Sequence, residues 1–198
     1  MKNLIVATRN KGKMKEFSEI LSGLPFRLLS MEEAGIDIDI AENGKTFEEN
    51  ALIKAMEIHK LTGEMVIADD SGLEVDCLNG APGIYSARFA GENATDEDRN
   101  NKLLAMMKDV PYEKRTARFV AAIAVVFEDG SNIIAKGTCE GLIGFKPEGK
   151  NGFGYDPLFF VPEYGMTVAQ MEPELKNRIS HRAKALGIMA EKLKSRLE

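Results

Sequence analysis

The chain has 198 residues, 44% hydrophobic and 29% charged, and a net charge of -5. That is enough chain to bury a real core as one large domain or two small lobes. The acidic balance excludes a general attraction for nucleic-acid backbones, so any phosphate must be met by a few placed cations. Cys77 and Cys139 lack the spacing of a zinc site or a disulfide framework, which points to reduced thiols in a cytoplasm. The apolar run in MKNLIVATRNKGK is too short for a signal peptide or a membrane span.

In chain order, Asn3 to Thr8 reads as a short buried strand. Met14, Phe17, Leu21 and Leu24 then recur at helical spacing. Phe26 to Met31 is predicted as a second strand, so the chain opens as a β-α-β unit. Thr46 with Glu49 three residues on announces a second helix, which stops near Gly63. Met65 to Ala68 follows as a strand and Leu73 to Leu78 as another short one, with the Asp69-Asp70-Ser71-Gly72 stretch between them. Thr95 followed by Asp96, Glu97 and Asp98 begins a third helix, with acids where the helix dipole favours them. From Arg118 to Gly144 the pattern is β, folded back at the Asp129-Gly130 turn. DPLFFVP adds a strand, and Ser180 is expected to cap a last amphipathic helix reaching nearly to Glu198. The pattern is that of an α/β fold with a mixed sheet, in two lobes around a cleft.

Four stretches carry possible chemistry. In ATRNKGK, Thr8, Asn10, Lys11 and Lys13 place donors where exposed amides at a helix start suit an anion, and Gly12 permits close approach; the alternative is a solvated strand-helix turn. Asp69 and Asp70 should face opposite sides of a strand, so one aims into a site and the other supports the backbone. Glu42 with Asp70 is the hard-oxygen pair that magnesium takes alongside substrate phosphates, unless Glu42 is a surface acid and Asp-Ser-Gly a plain turn. In GKNGFGYDP an aromatic ring either stacks on a nucleobase, worth about 1–3 kcal/mol, or returns to the core. Lys176, Arg178, His181 and Arg182 either meet phosphate or a base edge, or form a solvated basic turn.

Thr8-x-Asn10-x-x-Lys13, Glu42 ahead of TFEENA, ADDSGLEVDCLNGAPGIYSARFAG, GFGYDPLFF and SHRAKAL occur in this order over nearly the whole chain. In these motifs the sequence resembles the inosine triphosphate pyrophosphatase family, the non-canonical purine NTP pyrophosphatases, in its bacterial-type form. The resemblance implies an elongated mixed β-sheet flanked by helices, in two lobes with a central cleft. It implies a single domain over residues 1–198 without a linker, a homodimer and a cytoplasmic location. It further implies hydrolysis of ITP, dITP and XTP to the monophosphate and pyrophosphate with Mg2+. On this reading Thr8, Arg9, Asn10, Lys11, Gly12 and Lys13 hold the triphosphate, and Asp70 is proton acceptor and metal ligand with Glu42 as a further ligand. Ser71, Phe153, Gly154, Tyr155, Asp156, Lys176, His181 and Arg182 contact the substrate. Donors from Arg182 or from backbone near Ser180 would select the 6-oxo group. The expected partner is the nucleotide itself, with neither nucleic acid nor membrane. Two other readings stay open: a regulator that binds nucleotide without cleaving it, and a pyrophosphatase for another modified nucleotide.

Overall fold

The structure is a computed structural model that describes residues 2–197. The opening β-α-β unit is present: β1 (Lys2–Val6) and β2 (Phe26–Ser30) run parallel, from Lys2 opposite Phe26 to Val6 opposite Ser30. Between them α1 (Lys11–Ile20) starts at Asn10, whose side chain accepts the Lys13 N–H. Of the predicted apolar stripe, Phe17, Leu21 and Leu24 are buried and Met14 is half-buried against the same core. Fully burying a side chain such as Phe17 stabilises the fold by about 1.5–3 kcal/mol. Thr46 caps α2 (Phe47–Thr62) by accepting the Glu49 N–H, and Gly63 ends it. The Glu49 carboxylate takes the Lys45 N–H, so only half of the predicted reciprocal cap forms. The cap of α3 (Asp96–Met106) is complete, with Thr95 and Asp98 exchanging bonds.

The sequence reading departs from the structure at the two aspartates. Instead of two strands with a turn between them, one ten-residue strand, β3 (Val66–Val75), runs through Asp69, Asp70, Ser71 and Gly72. Adjacent acids need not interrupt a strand when each finds its own partners, and here both are buried and hydrogen-bonded. Asp76–Leu78, read as strand, is a 3-10 turn. The predicted hairpin is formed by β4 (Thr116–Val126) and β5 (Asn132–Ile143), with the Ser131 N–H held by the Asp129 carboxylate at 2.9 Å. β6 (Phe159–Val161) lies within the predicted DPLFFVP strand, and β7 (Met166–Thr167) is too short to leave a sequence pattern. The predicted last helix follows Ser180 directly as α5 (His181–Leu197); a short helix that was not predicted, α4 (Pro173–Ile179), precedes it, with Ser180 extended between them.

The sheet order is β2-β1-β3-β4-β5-β6-β7. β1 is parallel to both β2 and β3, whereas β6 is antiparallel to β5 and β7, so the sheet is mixed, as expected. The chain divides into two compact units: Met1–Asp70 with Ala121–Gly137 and His181–Glu198, and Ser71–Val120 with Thr138–Ser180. Each has its own apolar core. That of the first is built on residues such as Val6, Phe17, Ile67, Ile123 and Leu186, and that of the second on Leu73, Val75, Leu103, Phe119 and Phe159. In the second unit the fully buried Arg115 donates to the carbonyls of Met107, Val110, Ile143 and Gly144, satisfying a charge that burial would otherwise penalise.

Candidate active site

In the first unit, chain order places Thr8 just after β1 and Asn10 at the cap of α1. The Thr8 hydroxyl accepts the Asn10 N–H at 3.1 Å, and the Asn10 carboxamide accepts the Lys13 N–H at 3.0 Å. These side chains therefore build the turn whose amides begin the helix, while Lys11 stays exposed. Arg9 is exposed and donates to Asp37, Asp39 and the Ile38 carbonyl. Thr8, Arg9, Asn10 and Lys11 line a cavity of about 640 Å³ together with Met31 and Ile36.

Strand alternation sends the two acids to different partners. Asp69 accepts from Lys13 Nζ at 3.1 Å on one oxygen and from Arg182 Nε at 3.1 Å on the other. Arg182 is also bonded to the buried Glu16 carboxylate. Burial alone would raise the Asp69 carboxyl, but the Arg182 guanidinium, and after it Lys13 and Lys54, hold it well below the usual carboxylate range. Burial in turn lowers Lys13, with Asp69 opposing the shift. Asp70 accepts from the Asn50 amide at 3.1 Å. Its carboxyl is pushed up to about 6, chiefly by burial and further by Glu42, against the pull of Lys54, Asn50 and Lys13. One acid is thus fixed as a structural anion, and the other keeps a stronger affinity for a proton or a cation.

Asn50 and Lys54 are functional candidates the sequence reading missed. They stand four residues apart on α2, among Ala51, Ala55 and Ile58, which are buried. Asn50 also accepts the Gly44 N–H at 2.8 Å, and Lys54 bonds Glu42 at 2.7 Å and the Asp69 carbonyl at 3.0 Å. One helix face therefore holds both the segment carrying Glu42 and the strand carrying Asp70. Polar residues at i and i+4 on an otherwise apolar face were the available signal. Glu16, three residues after Lys13, was missed for the same reason. Among the described residues no group of three or more His, Cys, Asp and Glu side chains could hold a metal ion. The available donors are the two hard carboxylates of Glu42 and Asp70, a set that fits magnesium when phosphate oxygens complete it. His181 is buried at the start of α5, beside Arg182.

In the second unit, Asp156 accepts the Phe153 N–H at 3.0 Å and Lys176 Nζ at 2.9 Å. Lys176 also lies 4.6 Å from the centre of the Phe153 ring. Gly152 is required here: its φ is +77°, and a Cβ would sit 2.0 Å from the Asp156 carboxylate. Tyr155 returns to the core, its hydroxyl donating to the Ser86 carbonyl at 2.8 Å, and burial raises its phenol. Gly154 is bonded at its N–H by Asp96 and at its carbonyl by Asn100. Ser71 is half-buried on β3.

In the first unit of this α/β fold, a capped helix start stands with Lys13 and Lys54 beside two buried aspartates, an arrangement that suits an anionic ligand. The chain belongs to the Ham1 family, whose model matches residues 4–192. It is 52% identical over 193 residues to a dITP/XTP pyrophosphatase of Geobacter sulfurreducens, covering 98% of this chain and 97% of that one. It is 53% identical over 204 residues to a dITP/XTP pyrophosphatase of Clostridium perfringens, covering 100% and 98%. The structure is similar to that of a HAM1 protein from Coxiella burnetii, with a TM-score of 0.90, 42% identity, and coverage of 98% and 100%.

Proposed function

We propose that this chain hydrolyses ITP, dITP and XTP to the monophosphate and pyrophosphate, removing altered purines from the nucleotide pool. The observation that carries this reading is the match at about half identity, along essentially the whole of both chains, to proteins named dITP/XTP pyrophosphatases. The chain acts as one domain, as a homodimer and in the cytoplasm; the family resemblance supports this. Among the described residues, no helix is long and apolar enough to cross a membrane.

In the mechanism we propose, Asp70 takes the proton of the attacking water. Its placement supports this: the carboxylate is buried on β3 and the Asn50 amide holds one of its oxygens at 3.1 Å. Glu42 and Asp70 would hold magnesium, which would neutralise charge on the phosphates and make nearby water more acidic. Lys54 balances the two carboxylates. Lys13 and the Lys11 and Gly12 amides at the helix start, with Arg9, receive the triphosphate and stabilise departing pyrophosphate. Asp69 and Arg182 keep Lys13 aimed, so Arg182 acts through Asp69. Within the second unit Phe153 stacks on the base, with Lys176, Asp156, Gly154, Tyr155 and Ser71 shaping its surroundings; in the first unit His181 contacts the substrate. The test is pyrophosphate release from ITP, dITP, XTP, ATP and GTP with magnesium. The first three should react at least about a hundredfold faster in kcat/KM, the discrimination that a site built for specific polar groups achieves. Binding without release would leave a nucleotide sensor, and release from a different modified nucleotide alone would reassign the substrate.

A further inference from the structure

We propose that helix α3 is a positioning element for the base site, through Asp96 and Asn100. The proposal rests on the reading that Phe153 meets the purine. The two side chains are four residues apart and so share one helix face. Asp96 Oδ2 accepts the Gly154 N–H at 2.7 Å, a charge-assisted bond, and Asn100 Nδ2 donates to the Gly154 carbonyl at 3.1 Å. Gly154 lies in a run of turns, where no strand ladder fixes its peptide. The adjoining Phe153 N–H is taken by Asp156. Consecutive amides on either side of the aromatic residue are therefore held by carboxylates from two different segments, and the far side of the same Gly154 residue is held by Asn100.

The clamp is itself anchored. Asp96 lies in the first turn of α3, behind the completed Thr95–Asp98 cap, and its other oxygen is bonded to Arg99. Arg99 also donates to the Ala87 and Ala94 carbonyls at 2.8 and 2.7 Å. Asn100 is 5% exposed, and the Gly154 carbonyl fixes which end of its amide faces the loop. Loss of either clamp bond frees the peptide next to the ring without touching the phosphate-side groups. Its signature is a change in apparent substrate binding with little change in turnover.

The experiment compares Asp96→Ala, Asp96→Asn and Asn100→Asp with Phe153→Ala, measuring kcat and KM for ITP and hydrogen exchange at the Gly154 amide. Asp96→Ala and Asn100→Asp should raise KM about five- to twentyfold with kcat held within about twofold, the pattern of lost uniform binding. Asp96→Asn keeps an accepting oxygen and should return KM to within about twofold of the parent. Protection of the Gly154 amide should fall in Asp96→Ala and recover in Asp96→Asn. Asp96 is partly exposed, so its variants carry the test if Asn100→Asp does not fold. An unchanged KM in Asp96→Ala beside a raised one in Phe153→Ala overturns the positioning role, as does an equal fall of kcat in both Asp96 variants. If Phe153→Ala itself leaves KM unchanged, the base reading has failed, and Gly154 exchange still decides whether the clamp exists.

Discussion

Asp69 and Asp70 are neighbours of identical chemistry, and their environments push them apart. Asp69 neutralises Arg182 and Lys13, whereas Asp70 meets an amide and stands near a second acid. Asp70→Asn should therefore remove a charge that burial penalises, keeping or raising stability and retaining nucleotide binding. Pyrophosphate release should fall by at least about a hundredfold, as on loss of a general base. Asp69→Asn should be the damaging change to the fold, costing about 3–5 kcal/mol because it leaves the buried Arg182 and Lys13 without their shared counter-charge. Urea unfolding together with pyrophosphate release reads both. If Asp70→Asn proves the more destabilising of the two, the division of roles is wrong.

At the scale of elements, β5 and α5 meet at Gly137. A Cβ there would lie 2.3 Å from the His181 carbonyl oxygen and 2.5 Å from the Ala185 nitrogen. Gly137→Ala should push the start of α5, with His181 and Arg182, away from the strand and destabilise by about 1–3 kcal/mol. Gly187→Ala, on the same helix with nothing within 4 Å of the added carbon, is the contrast and should stabilise by about 0.5–1 kcal/mol. Thermal melts that move in the same direction for both would refute the packing argument. The elements themselves were largely legible, because apolar spacing and caps such as Thr46 and Thr95 are local signals. The continuity of β3 was not: Asp-Asp-Ser-Gly has the composition of a turn, and the partners that take up its buried acids include Arg182, more than a hundred residues away. Likewise the motif acids and Lys13 could be read as site candidates, but the second role of Asn50 and Lys54 depends on which loop lies opposite α2. A helical pattern alone carries no record of that.

Over the whole molecule, several carboxylates are held below their ordinary values by the fold: Asp69 by Arg182 against burial, Asp76 by the Thr116 hydroxyl and Arg118, Asp98 by its cap with Thr95, and Asp129 by Ser131. A depressed carboxyl contributes stability that is present above its unfolded value, near 4, and lost as pH falls through its folded one. Urea midpoints should therefore fall steadily below about pH 4, and a flat profile would contradict these pairings. The unbroken β3 also raises the matter of what selects its alignment. A shift by one residue that brings Asp70 to Arg182 would bring Ser71 to Asn50, so the buried cations would stay neutralised and the amide would still find an oxygen. Charge alone would accept that mistake, a folded look-alike with no acid facing Asn50. The same shift, however, moves Ala68 into the core place of Ile67 and Asp69 into that of Ala68, both fully buried. A large-to-small change of that kind costs about 2–5 kcal/mol before the misplaced charge is counted. The size step between Ile67 and Ala68 thus proofreads the threading of the strand, and two apolar residues that bond to neither cation decide which aspartate meets Arg182.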